Sequence, residues 1–100
     1  MLHPVAPISA VMEGDRLPVR INGQEMVVGM TEGRYFAVSA TCPHAGASLA
    51  RGTLVAFELA CPRHGARFDV RDGRCLAPDG TPSIACFRVL LEAGKVCVEL

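Results

Sequence analysis

Short apolar segments alternate with turn signals along the chain, and this pattern predicts an all-β domain. The segments are rich in Val, Ile, Leu and Phe, and most turn signals are dipeptides that end in glycine. Such dipeptides favour the positive φ angles of tight β-turns. No long segment combines a 3.6-residue apolar period with helix caps, so no long helix is expected. The turn dipeptides are Asn22-Gly23, Glu32-Gly33, Asp72-Gly73, Asp79-Gly80 and Ala93-Gly94.

The first three predicted strands can be paired from the sequence. A two-residue loop at Asn22-Gly23 sets apolar side chains opposite each other and pairs Arg20 with Glu25. A second loop at Glu32-Gly33 leaves the strand between the two loops apolar on both faces, which predicts a central strand. The expected pairs are Ile21 with Gln24, Arg20 with Glu25, Val19 with Met26, Leu17 with Val28, Met30 with Tyr35, Val28 with Ala37, and Val27 with Val38.

The C-terminal segment predicts one more hairpin, with a two-residue loop at Ala93-Gly94. This loop length aligns apolar side chains, whereas a three-residue loop would oppose them to polar or thiol groups. Cys97 then faces Leu90 rather than Cys86, so no disulfide is expected between the two thiols. The aligned pairs are Leu91 with Val96, Val89 with Val98, and Phe87 with Leu100.

Composition and charge exclude several classes of function. The chain has 100 residues and ten basic against ten acidic side chains, which predicts a single domain at 1–100 with no net charge. Such a balance disfavours binding to nucleic acid or to an anionic membrane. No apolar run approaches the roughly 20 residues of a membrane span. No secretory signal is readable, so we expect a cytoplasmic protein. We also expect the protein to be a monomer.

Two segments, Thr41–Leu49 and Cys61–Gly65, do not alternate like strands and are rich in Cys, Pro, His and Gly. The first contains a Cys-x-His pair, Cys42 and His44, and the second a Cys-x-x-His pair, Cys61 and His64. Two thiolates and two imidazoles form a plausible four-ligand metal site. The sequence therefore predicts a metal centre held by two tight loops.

At these motifs the sequence resembles the Rieske iron–sulfur family, whose two loops carry Cys-x-His and Cys-x-x-His. The similarity covers nearly the whole chain, including Cys61-Pro-Arg-His-Gly-Ala-Arg-Phe-Asp69. It implies antiparallel sheets, a small cluster-binding subdomain at about residues 41–76, and a Rieske [2Fe–2S] cluster. By this resemblance Cys42 and Cys61 hold the inner iron, and His44 and His64 hold the outer iron.

The sequence departs from the high-potential members of that family at four loop positions. Those members carry a disulfide between the loops, and Ser and Tyr hydroxyls that donate to the cluster. Fewer donors to sulfur stabilise the reduced state less, so the resemblance implies a potential of about −150 mV rather than +300 mV. The residues found here instead are Ala47, Arg63, Ala66 and Phe68.

A chain of this size resembles the ferredoxin component of bacterial aromatic-ring-hydroxylating dioxygenase systems. The resemblance implies a one-electron carrier and not an enzyme. Its expected partners are an NAD(P)H-dependent flavin reductase and a terminal oxygenase. No acid–base pair or substrate pocket is readable in the sequence. Arg63 and Arg67 flank the second ligand pair and are candidates for docking a partner protein.

Two other functions remain open at this stage. The first is the Rieske-like small subunit of an assimilatory nitrite reductase, although all four ligands are present here. The second is a structural zinc module. Zinc modules usually group Cys with Cys and His with His, whereas each loop here mixes the two types. Metal content separates the zinc alternative from the iron–sulfur carrier.

Overall fold

The computed structural model describes residues 1–43, 46–63 and 65–100, and these form an all-β domain. Ten strands are described, together with two short 3₁₀ turns at Ile8–Ala10 and Leu49–Arg51. The expectation of an antiparallel β-fold without a long helix is therefore confirmed for these residues. No described helix has the length and apolar character needed to cross a membrane.

The predicted hairpins have the expected register. β2 (Arg16–Ile21), β3 (Gln24–Thr31) and β4 (Arg34–Ser39) pair as the turn dipeptides require, with every expected pair present. Both residues of each two-residue turn adopt positive φ, including the non-glycine residues Asn22 and Glu32. Such turns match the right-handed twist of the strands that they join. β3 lies between β2 and β4, so its prediction as a central strand is confirmed.

Three further strands join β2, β3 and β4 in one sheet, and they are β1 (Leu2–Pro7), β9 (Cys86–Glu92) and β10 (Lys95–Glu99). The order of the six strands in this sheet is β1, β10, β9, β4, β3, β2. The C-terminal hairpin follows the predicted register from its turn as far as Glu99 opposite Arg88, where the pairing ends. The expected contact of Phe87 with Leu100 lies beyond that last pair.

A second sheet of four short strands lies in the chain between β4 and β9. Each strand has three residues, and all neighbouring pairs are antiparallel. This sheet supplies the frame for the second of the two cysteine loops. Its strands are β5 (Thr53–Val55), β6 (Glu58–Ala60), β7 (Arg67–Asp69) and β8 (Cys75–Ala77).

The two faces of β3 contribute to different apolar clusters. Val27 packs with the side chains of the second sheet and of the cysteine loops. Met26 and Val28 face the other way, towards Val96 and Val98 of β10. Alternating side chains of one strand point to opposite faces, which explains why β3 is apolar throughout. The large sheet thus carries the second sheet on one face and closes its own core on the other.

Two side chains of the large sheet hold the start of the second sheet. The Arg16 guanidinium donates to the Gly52 carbonyl, and the buried Thr31 hydroxyl donates to the Ala56 carbonyl. A side chain at Gly52 would overlap the Ala60 carbonyl, so only glycine fits where this segment passes β6. These contacts fix the position of the second sheet, and with it the loop that carries Cys61.

Candidate metal centre

Cys42 and Cys61 lie at equivalent positions in two loops of the same design. The first loop is closed by a bridge between Thr41 and Ser48, and the second by the pair of Ala60 with Arg67. Inside each closure, the cysteine N–H donates to the carbonyl of the residue five positions later. The nitrogen–oxygen distances are 3.0 Å for Cys42 to Ala47 and 2.7 Å for Cys61 to Ala66.

A glycine turns each loop back in the same way. The Gly46 N–H donates to the Cys42 carbonyl at 2.7 Å, and the Gly65 N–H donates to the Cys61 carbonyl at 3.1 Å. Their φ angles are 69° and 71°, which lie in the left-handed region that favours glycine. The same spacing of cysteine, glycine and alanine therefore gives both loops the same pair of backbone hydrogen bonds.

The two loops carry their thiols inward and their prolines outward. Cys42 is fully buried and Cys61 is 3% exposed, and both belong to the apolar cluster that contains Leu49, Leu59 and Phe68. A lone thiolate in such surroundings is unfavourable, whereas a metal centre neutralises it and binds soft sulfur ligands. The donor chemistry and the matching loops fit a metal–sulfur group.

The two predicted imidazole ligands, His44 and His64, lie outside the described residues, as does Ala45. Each histidine stands in the sequence between its cysteine and the turning glycine. The ligand set Cys42, His44, Cys61 and His64 therefore stays a prediction. Among the described residues, no group of three or more His, Cys, Asp or Glu side chains could hold a metal ion.

The remaining three cysteines are placed apart from these loops. Cys97 is buried in β10 opposite Leu90, as predicted, and none of the three forms a disulfide within the described part of the chain. Cys75 is half-buried and packs against the apolar cluster of the loops. Cys86 begins β9 and is exposed. Partial burial and the nearby Asp72 raise the pKa of its thiol.

A buried carboxylate supports the segment that follows the second loop. Asp69, at the end of β7, is 4% exposed and accepts hydrogen bonds from the backbone N–H and the guanidinium of Arg71. The guanidinium also lies 4.2 Å from the ring centre of Phe57. The hydrogen bonds from Arg71 lower the pKa of Asp69 despite its burial. The pair thereby ties the end of β7 to the turn before β6.

Replacing Asp69 with asparagine should lower the free energy of unfolding by about 1–3 kcal/mol at neutral pH, because charge-assisted bonds are lost. The folded-state pKa of Asp69 is lowered, so its stabilisation is present above the unfolded pKa and disappears as the pH falls through the folded value. Urea unfolding of both proteins should therefore show a difference at pH 7 that shrinks below about pH 4.

The matched control is Asp72→Asn on the same turn. Asp72 is exposed and accepts one backbone hydrogen bond from Arg74. Its replacement should cost less than about 1 kcal/mol, as for other exposed polar substitutions. Equal effects of the two substitutions, or a difference that does not depend on pH, would contradict the role given to Asp69.

The two candidate docking arginines differ in their surroundings. Arg67 forms an ion pair with Glu58, with 2.6 Å between guanidinium nitrogen and carboxylate oxygen. Arg63 is exposed and lines a cleft between the two loops, together with Gly46, Ala47 and Pro62. Arg51, which the sequence analysis did not single out, lines the same cleft. The absence of acidic residues from 41–57 is the sequence signal that could have revealed it.

An antiparallel β-domain in which two like loops each carry a buried cysteine is an arrangement that fits a metal–sulfur protein. Comparison with known families gives the particular one: residues 1–88 match the Rieske [2Fe–2S] domain. The chain belongs to this family. Its cofactor is accordingly a Rieske [2Fe–2S] cluster.

Individual relatives agree with this assignment. The chain is 34% identical over 93 residues to the ferredoxin component of the naphthalene 1,2-dioxygenase system of Pseudomonas putida, covering 93% of this chain and 89% of the relative. Its structure is similar to the ferredoxin of carbazole 1,9a-dioxygenase from Nocardioides aromaticivorans IC177. That match has a TM-score of 0.91 and 28% identity, and it covers 98% of this chain and 96% of the other.

Two further solved structures bear on the alternatives. A ferredoxin solved in complex with the oxygenase of carbazole 1,9a-dioxygenase matches with a TM-score of 0.89 and 30% identity, covering 97% of this chain and 91% of that one. A protein described as a nitrite reductase small subunit matches with a TM-score of 0.87 over 100% of this chain and 99% of that one, at 19% identity. The latter similarity shows the fold alone.

Proposed function

We propose that this protein is the ferredoxin component of an aromatic-ring-hydroxylating dioxygenase system. It would carry single electrons from an NAD(P)H-dependent flavin reductase to a terminal oxygenase, without itself catalysing the oxidation. The observation that supports this most directly is the pair of equivalent loops that carry the buried Cys42 and Cys61. Relatives that match nearly the whole chain are named as ferredoxin components of such systems.

We assign Cys42 and Cys61 to one iron of the cluster and His44 and His64 to the other. When bound, the cluster supplies a one-electron redox couple. The protein's own residues exclude water from the cysteine side, because the apolar cluster with Leu49 and Phe68 surrounds both thiols. In each loop the cysteine is held by two backbone hydrogen bonds, one from its N–H and one to its carbonyl.

The two positions where high-potential relatives place hydroxyl donors are apolar and fully buried. Ala66 and Phe68 have no exposed surface, and neither carries a hydroxyl that could donate to cluster sulfur. This supports a potential at the low end of the Rieske range, near about −150 mV. A carrier at this potential accepts electrons from a reduced flavin and passes them to an oxygenase.

Spectroscopy of the reduced protein tests the function first. Dithionite-reduced protein should give a rhombic EPR signal with an average g below that of all-cysteine clusters, and assays should find equal iron and sulfide. NADH or NADPH with a flavin reductase should then reduce the same cluster. EPR silence with stoichiometric zinc and no sulfide would refute the carrier function and leave a structural zinc domain.

The nitrite reductase alternative is less well supported, because the similarity to such a small subunit is at 19% identity and concerns the fold. That function assigns the domain mainly to assembly with a larger subunit. Electron delivery to a purified ring-hydroxylating oxygenase distinguishes the two functions, because an assembly subunit would not support product formation by the oxygenase.

A further inference from the structure

The neutral net charge of the chain conceals an uneven distribution. Residues 41–68, which include both cysteine loops, contain three arginines and a single glutamate, Glu58. The rest of the chain contains seven basic and nine acidic residues. The segment that carries both cysteines therefore has an excess of two positive charges, and the rest of the chain has an excess of two negative charges. Such a charge dipole orients a protein as it approaches a charged partner.

The ion pairs show which arginines of this segment carry the excess positive charge. The only acidic side chain of the segment, Glu58, is engaged by Arg67. Within residues 1–43, 46–63 and 65–100, no carboxylate lies within ion-pair distance of Arg51 or Arg63. By contrast, Arg71 and Arg88 each have an acidic partner. Within the described part of residues 41–68, the positive charge without a carboxylate at ion-pair distance thus belongs to Arg51 and Arg63.

The two uncompensated arginines come from different loops but share one surface. Arg51 ends the 3₁₀ turn that follows the first loop, and Arg63 lies in the second loop directly after Pro62. Both side chains are exposed and line the cleft between the loops. Their backbones are fixed, because Cys42, Cys61 and the turning glycines hold the loops by hydrogen bonds. The backbone positions that carry the two guanidinium groups are therefore held in place beside the cysteine loops.

We propose that Arg51 and Arg63 form a docking surface for an acidic patch on the terminal oxygenase. This proposal rests on the proposed function and adds the chemistry of the partner's surface. A related ferredoxin has been solved in complex with its oxygenase, and for this reason we choose the terminal oxygenase as the partner that binds this surface. Exposed guanidinium groups attract carboxylates over a Debye length and speed association more than they strengthen the final complex.

The electrostatic part can be tested without any partner protein. Reduced protein is oxidised in a stopped-flow instrument by hexacyanoferrate(III), an anion, or by hexaamminecobalt(III), a cation, and one electron passes to each metal complex. The Arg51→Gln/Arg63→Gln variant should react roughly 2–10 times more slowly with the anion and faster with the cation at low salt. Both differences should vanish near 1 M salt, where the Debye length is about 3 Å.

Arg34→Gln is the matched control. Arg34 is exposed and begins β4, at the end of that strand remote from the first cysteine loop. Its removal changes the net charge by one unit, half of the change in the double variant, and should leave both oxidation rates within about twofold of the unmodified protein. EPR spectra and melting temperatures of all variants verify that cluster and fold are intact. Equal responses of the loop variant and the control would overturn the proposal.

Binding to the purified oxygenase tests the docking itself. The Kd, measured by calorimetry at several salt concentrations, should rise roughly 2–10 fold in the double variant, and its salt dependence should become shallower. An unchanged Kd, or an effect seen only with the flavin reductase, would overturn the proposal. If the unmodified protein reacts normally with both metal complexes but transfers no electrons to any oxygenase, the proposed function fails and the cationic surface remains.

Discussion

Replacement of Cys61 by serine is expected to abolish the cluster. The iron content should fall from two atoms per chain to nearly none, and the rhombic EPR signal should disappear. Serine is a harder and less acidic donor than a thiol, so it would be a poor substitute for the proposed thiolate ligand at position 61. Its hydroxyl would also stand in an apolar cluster, since the cysteine is 3% exposed and packs near Phe68.

Cys75→Ser provides a control with the same chemistry. Cys75 packs against the same apolar cluster but lies in β8, outside both loops. Its replacement should leave iron, sulfide and the EPR signal at the level of the unmodified protein, with a stability loss of about 1 kcal/mol. Full iron content in Cys61→Ser, or loss of the cluster from Cys75→Ser alone, would show that the ligand assignment is wrong.

The second large effect is expected for Phe68→Ala, which should lower the free energy of unfolding by about 3–5 kcal/mol. Phe68 is the largest fully buried side chain in the described part of the chain, and it belongs to the cluster that surrounds both cysteines. Its loss leaves a cavity between the second sheet and the loops. Because stability and metal retention are coupled, the variant should also lose iron faster to a chelator.

Phe68→Leu separates loss of volume from loss of the aromatic ring. Leucine refills most of the space, so the cost should be below that of the alanine variant, at about 1–2 kcal/mol. Thermal unfolding of the cluster-loaded protein measures the loss of stability, and incubation with a chelator measures the rate of iron loss. If Phe68→Ala melted at the same temperature as the unmodified protein, the apolar cluster would not be what supports the loops.

The parts of the fold that the sequence predicts are those set by local chemistry. Three hairpins follow from turns such as Asn22-Gly23, because one loop length alone brings apolar side chains opposite each other. β5 to β8 escape prediction, since three residues are too few to show a period of two. The pairing of β1 with β10 joins the two ends of the chain, a contact that no local pattern encodes.

For the metal centre, the sequence predicts which residues carry the chemistry but not how the loops are framed. Cys42 and Cys61 stand out through their spacing to histidine. Their equivalent geometry depends on carbonyls that any residue could supply, so it leaves no mark beyond the two glycines. Arg63 was identified because it stands within a motif. Arg51 stands outside both motifs and joins the same surface through the fold, so its signal in the sequence is the absence of acidic residues from 41–57.

The backbone hydrogen bonds that shape the two loops are separate from the outward side chains that a partner protein would contact. Each frame consists of the N–H and carbonyl of the cysteine, a glycine that adopts positive φ, and the carbonyl of the alanine after that glycine. The outward side chains at positions such as Pro43 and Arg63 take no part in it. Substitutions of these outward groups would therefore change the surface that a partner protein contacts without removing the hydrogen bonds that hold the two loops.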